Sequence, residues 1–109
     1  MNRVILVGNI ISELKWVEGS YIKFTVAVKR KFSKEKESDY ISCVAFGNTA
    51  DTIGKYFYKG AMIAVEGELR TGSYEKDGKK VYTTEVTVST FDFCEKPPKK
   101  ADKEELPFD

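Results

Sequence analysis

Residues 39–71, DYISCVAFGNTADTIGKYFYKGAMIAVEGELRT, contain two changes of hydrophobic period, and these decide the fold class. The first third alternates, with Ile41, Cys43 and Ala45 on one side and the aromatic Tyr40 and Phe46 on the other. Alternation of this kind predicts a strand with one buried face. If the three small or apolar residues face the core, the two aromatic rings face outward.

The middle of the stretch changes to helical spacing, with Ala50, Ile53 and Phe57 on one face. Asn48 or Thr49 is the predicted N-cap, and Gly60 stands where a C′ glycine would end the helix. Alternation then returns. The inward set of this next strand is Ala61, Ile63, Val65, Gly67 and Leu69, and its outward set is Glu66, Glu68 and Arg70.

Three further segments predict strands on either side of this stretch. They are RVILVGNI (3–10), with Gly8 and Asn9 as a bend at its end, YIKFTVAVK (21–29), with Ile22, Phe24, Val26 and Val28 on one face, and VYTTEVTV (81–88), with Tyr82, Thr84, Val86 and Val88 together. Asp77-Gly78 is a strong hairpin signal between the last two strands.

Three strands, one helix and two hairpin-linked strands form the order of an OB-fold, an all-β, five-stranded Greek-key barrel with its helix between strands 3 and 4. An SH3-like barrel is the nearest alternative, but it normally lacks a helix there. Residues 1–94 form the predicted domain. Residues 95–109, EKPPKKADKEELPFD, form a predicted disordered acidic tail, because they are rich in charge and proline and have no apolar periodicity.

The composition argues against an enzyme. The chain of 109 residues has no histidine, the commonest general base, and its two cysteines, Cys43 and Cys94, do not have a zinc-site spacing. We expect both cysteines to be reduced packing residues, with no metal and no cofactor. No stretch is long and apolar enough for a membrane span or an export signal, so we expect a cytoplasmic protein.

OB-folds bind single nucleic-acid strands by stacking bases on exposed aromatic rings along a basic groove. Four aromatic residues fit this role: Phe32, Tyr40, Phe46 and Tyr74. Phe32 lies within the basic KRKFSKEK, and Tyr74 shares the outward parity of Arg70 near the hairpin. Packing under the helix or in a subunit contact is the alternative for Tyr40 and Phe46. The sequence leaves two roles open for Trp16: it clamps the first hairpin, or it contacts the ligand at its edge.

Charge separates the predicted domain from the predicted tail. Residues 1–94 carry 14 Lys and Arg against 12 Asp and Glu, whereas residues 95–109 carry four lysines and five acids. This asymmetry is typical of proteins that handle polyanions. The predicted cationic contacts to a single strand are Arg3, Lys29, Arg30, Lys31, Lys34, Arg70 and Lys79.

Two segments carry more apolar surface than one barrel needs. Residues 4–7, VILV, are apolar on both faces, so the helix, the tail or another subunit covers the second face. We expect another subunit, and therefore a homo-oligomer, most simply a tetramer. In the tail, Leu106, Pro107 and Phe108 stand among acids, which predicts a peptide for a partner's apolar pocket. The predicted partner-binding residues are Glu104, Glu105, Leu106, Pro107, Phe108 and Asp109.

The chain resembles the bacterial and phage single-stranded DNA-binding protein family along essentially its whole length. The matching stretches are NRVILVGNI, FTVAV, CVAFGNTAD, YFYKGAMIAVEGELRTGSY and DGKKVYTTEVTV. The resemblance implies an OB-fold homotetramer that wraps single-stranded DNA without sequence preference. It also implies recruitment of replication and repair proteins through the tail.

The family's stacking aromatics fall on Phe32, Tyr40, Phe46 and Tyr74, the four positions that parity and charge select. The tail departs from the family pattern, because Asp109 follows Phe108 where the family ends in Phe. In its short linker and total length, the chain resembles phage-encoded members of the family or compact bacterial paralogues. Two other functions compete: a primosome-type OB-fold adapter in replication restart, against which ELPF argues, and a carboxylate nuclease, for which no cluster of acids is evident.

Overall fold

The computed structural model describes residues 1–32 and 34–94. It confirms the predicted all-β barrel with one helix, and adds one short strand. The elements are β1 (Val4–Ile10), β2 (Lys15–Val17), β3 (Tyr21–Lys29), β4 (Ser38–Phe46), α1 (Gly47–Tyr56), β5 (Met62–Lys76) and β6 (Lys79–Phe93). The predicted tail, 95–109, lies outside the described residues.

Six strands form one sheet in the order β1-β5-β6-β4-β3-β2. The sheet closes because β1 also pairs with β3, with Asn9 opposite Ala27 and Ile10 opposite Val26. The β4–β6 pairing is parallel and all the others are antiparallel. Within the barrel, closure removes the free strand edges and leaves β2 as a short outer strand beside β3.

The core follows the predicted alternation over most of the barrel. Its buried residues are Ile10, Ile22, Phe24, Val26, Cys43, Ala45, Ala50, Ile53, Phe57, Ala61, Ile63, Val65, Val86 and Val88. The alternation also predicts that Leu69 and Tyr82 face inward, but both are exposed. The reason is length: β5 and β6 continue past the barrel as a two-stranded arm, where the inward face has no opposing layer.

Helix α1 buries Ala50 and Ile53, as its spacing predicts, and Phe57 is buried directly after it. The predicted caps are wrong. Phe46 occupies the N-cap without a side-chain hydrogen bond, and the helix ends at Tyr56, four residues before Gly60. Gly60 does adopt a positive φ of 104°, but in a turn where its N–H donates to the carbonyl of Ile10 at 2.7 Å.

Gly8 and Asn9 do not form the predicted bend but lie inside β1. The predicted hairpin at Asp77-Gly78 is confirmed: both residues have positive φ, 53° and 78°, and Lys76 pairs with Lys79 across them. Positive φ at both central positions is the geometry of a tight type I′ turn, for which this dipeptide is suited.

Candidate nucleic-acid interface

The outer face of β4 presents two of the predicted stacking rings. Tyr40 is 67% exposed and Phe46 is 51% exposed, whereas Cys43 and Ala45 between them are fully buried. The six-residue separation of the rings corresponds to about 20 Å along the strand. The outward parity predicted for both aromatic residues is therefore confirmed, and they mark two ends of one surface.

A groove of about 500 Å³ lies beside this line of rings, between β2 and the outer face of β3. Ser42, the outward residue two positions after Tyr40, lines this groove, and Lys23 there lies 3.5 Å from the Glu85 carboxylate. The other polar lining residues are Ser12, Glu13, Lys15 and Thr25. Sequence reasoning missed Lys15 and Lys23. Lys23 shares the outward parity of β3, opposite to Ile22 and Phe24, and that parity would have identified it.

Phe46 does not stand alone at its end of β4. Its ring centroid lies 5.2 Å from that of Tyr21, its cross-strand partner on β3, with the planes tilted by 40°. Contacts of this type favour a fixed ring orientation. Tyr21 is thus a second aromatic residue at this site that the sequence analysis did not include, although it has the same outward parity as Lys23.

Phe32 and Tyr74 lie on the two projecting parts of the fold. Phe32, in the turn between β3 and β4, is 93% exposed, and Tyr74, on the β5–β6 arm, is 52% exposed. Among the described residues, no aromatic ring or cation packs on either side chain. The structure does not itself test any of the four predicted stacking roles, and they remain predictions.

The predicted cationic residues fall into two groups. Arg3 pairs with Glu66, Arg70 with Glu68, and Arg30 with Glu37 and Asp39. Within the described part of the chain, Lys29, Lys31, Lys34 and Lys79 are exposed and form no salt bridge. The ammonium groups of these four lysines can bind a phosphate backbone directly, whereas each of the three arginines already interacts with a carboxylate.

Arg30 holds the base of the β3–β4 turn that carries Phe32. Its guanidinium donates to Asp39 Oδ1 at 2.8 Å and to Glu37 Oε1 at 3.0 Å, and its backbone N–H donates to the Glu37 carbonyl at 2.9 Å. The Arg30 hydrogen bond holds the pKa of the Asp39 carboxyl below its usual value. The Arg30–Asp39 pair therefore stabilises the folded state fully above pH about 4, the usual pKa of an aspartate. This stabilisation is lost as the pH falls through the lower pKa that Asp39 has in the folded state.

The position of Trp16 fits the clamp of the first hairpin, and the contact with a ligand stays a prediction. It pairs with Ile22, whose side chain points into the core, so Trp16 lies on the same side, beside α1. A Cβ built on Gly54 would lie 3.4 Å from Trp16 Nε1 and 3.3 Å from Ile22 Cδ1. The helical glycine thus leaves room for the indole ring, which is 45% exposed at this position.

The two cysteines differ. Cys43 is buried in the core, as expected, and desolvation raises the pKa of its thiol to about 12, with Glu85 adding to the shift. Such a thiol is an inert packing group at neutral pH. Cys94 is exposed, so its expected packing role is wrong: it follows β6, past the end of the core.

Residues 1–32 and 34–94 were compared with two specific patterns, a cluster of metal-ligating side chains and a long apolar helix. No group of three or more His, Cys, Asp or Glu side chains is arranged there to hold a metal ion. Nor does that part of the chain contain a helix with the length and apolar character to cross a membrane.

A family model described as the single-strand binding protein family matches residues 1–94. Among curated relatives, a single-stranded DNA-binding protein of Clostridium perfringens is 48% identical over 101 residues, which cover 87% of this chain and 67% of the relative. Single-stranded DNA-binding protein 2 of Streptococcus agalactiae is 40% identical over 110 residues, covering 94% and 84%.

Solved structures show the same architecture. A small single-stranded DNA binding protein from Mycoplasma pneumoniae matches with a TM-score of 0.68 and 26% identity, covering 88% of this chain and 97% of that one. A Plasmodium falciparum SSB in complex with ssDNA matches with a TM-score of 0.70 and 23% identity, covering 84% and 91%. At that lower identity the likeness establishes the fold alone.

Proposed function

Because the chain belongs to the single-strand binding protein family, whose members are non-enzymatic DNA-binding proteins, we propose that it binds single-stranded DNA without sequence preference and protects it during replication, recombination and repair. The domain of this activity is residues 1–94, and its setting is the cytoplasm. The carrying observation is the outer face of β4, where Tyr40 and Phe46 stand exposed beside a groove with lysines.

The chemistry of this face suits a single strand better than a duplex. Aromatic rings offer stacking to bases whose faces are free, and every base has such a face, so the contact tolerates any sequence. Lys29, Lys31, Lys34 and Lys79, which form no salt bridge with the residues that the structure describes, attract phosphates without reading bases. Phe32 and Tyr74 extend the surface at the β3–β4 turn and on the arm.

Titration with oligo-dT at several salt concentrations tests this function. We expect tight binding at low salt and a linear fall of log affinity with log salt, with a slope of about −0.7 for each phosphate that is neutralised. A mixed-sequence strand of equal length should bind similarly. A duplex of that length binding as tightly as the single strand would refute the proposal.

A homotetramer is the assembly that we propose for this chain. Ile5 and Val7, on the outer face of β1, are 64% and 50% exposed. Ile5 also lines a shallow depression whose other lining residues are Ala64, Val65, Glu66, Thr90, Phe91 and Asp92. A second copy that covers this apolar face would remove it from water, and assembly would bring several binding surfaces to one strand.

Light scattering at micromolar concentration should report about four chains per particle. Ile5→Glu should reduce that number, because it introduces a charge into the proposed contact, while the exposed position leaves the barrel folded. Thr84→Glu, on an exposed strand position of the arm, is the matched control and should keep the parental mass. A monomeric parent would contradict the assembly.

The tail is proposed to recruit replication and repair proteins. Phe108 is the apolar anchor, and Glu104, Glu105 and Asp109 suit a pocket ringed by Lys or Arg while they repel a phosphate backbone. Pro107 restricts the backbone, which lowers the ordering cost of docking. These residues lie outside the described part of the chain, and the proposal rests on their sequence.

Deleting residues 102–109 should leave oligo-dT affinity unchanged or slightly higher at low salt, and should abolish pull-down of replication or repair proteins. Phe108→Ala alone should reproduce most of that loss. Removal of Asp109 should strengthen the interaction if the partner pocket reads a terminal Phe carboxylate. Loss of DNA affinity with retention of partners would overturn this role.

A further inference from the structure

The β5–β6 arm has two faces, and the predicted interface uses only one. Tyr74 is paired with Val81 in the antiparallel register, and the adjacent pair is Ser73 with Tyr82. Neighbouring pairs of a ladder point to opposite faces, so Tyr82 lies on the face of the arm away from Tyr74. Its ring is 74% exposed, more than those of Tyr40, Phe46 and Tyr74.

The surroundings of Tyr82 are polar and partly cationic. Lys80 Nζ lies 5.8 Å from the centroid of the Tyr82 ring, within range of a cation–π contact. The residues that share this face of the arm are Thr71, Ser73, Glu75, Lys80 and Thr84. Glu75 stands opposite Lys80, so the face is not strongly basic. Its distinguishing features are one open aromatic ring, one adjacent ammonium group and several hydroxyls.

These features favour a nucleotide over an apolar segment of another protein. A protein anchor needs a cluster of apolar side chains that excludes water, and the nearest exposed apolar residue on this face, Leu69, is separated from Tyr82 by Thr71 and Thr84. A base needs only the ring for stacking, and a phosphate needs a cation or a hydroxyl donor nearby. Tyr82 and Lys80 supply this combination.

We propose that Tyr82 and Lys80 form a second contact for single-stranded DNA, on the face of the arm opposite Tyr74. A strand that stacks on Tyr74 continues around the arm, passing Lys76 and Lys79 near its tip, and stacks again on Tyr82. This inference rests on the proposed function and adds a contact to it. It predicts that the arm lengthens the stretch of DNA that each chain covers.

The test compares Tyr82→Ala with the parent on oligo-dT of increasing length. Short oligonucleotides, which cannot span both faces of the arm, should bind the two proteins equally. Long oligonucleotides should bind Tyr82→Ala at least about fivefold more weakly, the lower limit for the loss of one stacked base. The number of nucleotides occluded per chain should also fall.

Three matched variants separate stacking from other effects. Tyr82→Phe keeps the ring and should bind like the parent at every length. Tyr58→Ala removes another exposed tyrosine, after α1, and should also match the parent. Lys80→Gln should lower the salt dependence of the binding affinity for long oligonucleotides only, because it removes one phosphate contact.

The outcomes distinguish this inference from the proposed function. If the parent binds no oligonucleotide, the function itself fails. If the parent binds and Tyr82→Ala matches Tyr58→Ala at every length, the function stands and the second contact is refuted. A changed particle mass for Tyr82→Ala in light scattering would assign the ring to a contact between chains, and would also overturn the inference.

Discussion

Replacing Gly8 with alanine is expected to lower the free energy of unfolding by about 3 kcal/mol or more. A Cβ at this position would lie 2.2 Å from the carbonyl oxygen of Ala27 and 2.9 Å from its carbon. These are backbone atoms of β3, and they cannot rotate away as a flexible side chain could. The methyl group would therefore force β1 and β3 apart.

The location makes this clash costly. β1 pairs with β5 through most of its length, and its Asn9 and Ile10 pair with β3 to close the sheet into a barrel. Separation of β1 from β3 would open that closure beside the fully buried Ile10 and Val26. Because the free energy of unfolding of a domain of this size is only about 5–15 kcal/mol, the variant should lose a large part of it.

Gly72→Ala is the matched control. Gly72 also lies in a strand, but a Cβ there would meet only the rotatable Thr83 hydroxyl, at 3.2 Å, on the exposed arm. Its free energy of unfolding should stay within about 0.5 kcal/mol of the parent. The comparison is made by denaturant unfolding of the parent, Gly8→Ala and Gly72→Ala at one fixed protein concentration. A Gly8→Ala protein as stable as Gly72→Ala would contradict the close-approach argument.

Combined replacement of Phe32, Tyr40 and Tyr74 by alanine is expected to weaken oligo-dT binding by at least about a hundredfold. Each stacked base is worth roughly 1–3 kcal/mol, and widely separated contacts are approximately additive. All three side chains are more than half exposed, so their truncation should leave the barrel folded. Singly, each variant should show a smaller loss of the same kind.

Phe46 is left out of this variant because its ring also packs on Tyr21. Phe46→Ala would weaken binding, but it would add a stability cost that confuses the comparison. The control is the ring-preserving triple Phe32→Tyr, Tyr40→Phe, Tyr74→Phe, which should bind within about threefold of the parent, since stacking requires the ring and not the hydroxyl.

The salt dependence should separate stacking from charge in these variants. Removal of three neutral rings should lower affinity while leaving the slope of log affinity against log salt unchanged, because the lysine–phosphate contacts remain. Affinity equal to that of the parent in the alanine triple would show that the proposed stacking surface is wrong. An altered slope would show that the rings had been holding cations in place.

Local patterns in the sequence were sufficient for most elements of the fold. Alternation identified β3 and β4, helical spacing identified α1, and Asp77-Gly78 identified the long hairpin. The same alternation correctly assigned Tyr40 and Phe46 to the outward face of β4. Such signals succeed because period and turn conformation depend on residues that are adjacent in the chain.

Alternation along a strand, however, indicates only which residues share a face, and not whether that face packs against the core or is exposed to solvent. Leu69 and Tyr82 follow the inward parity of β5 and β6, but the barrel ends before them, so both are exposed. The engagement of Arg30 by Asp39, a residue of the next strand, depends in the same way on strand pairing.

The amino-acid sequence by itself determined five of the six strands, the helix, the hairpin turn and the outward rings of β4, because each follows from neighbouring side chains and local backbone preference. Only the tertiary structure decided that Gly8 lies within a strand against the β3 backbone, and that Tyr82 is open on the second face of the arm. Both depend on how distant strands pair and where the barrel closes, and this packing is not encoded in any single local period.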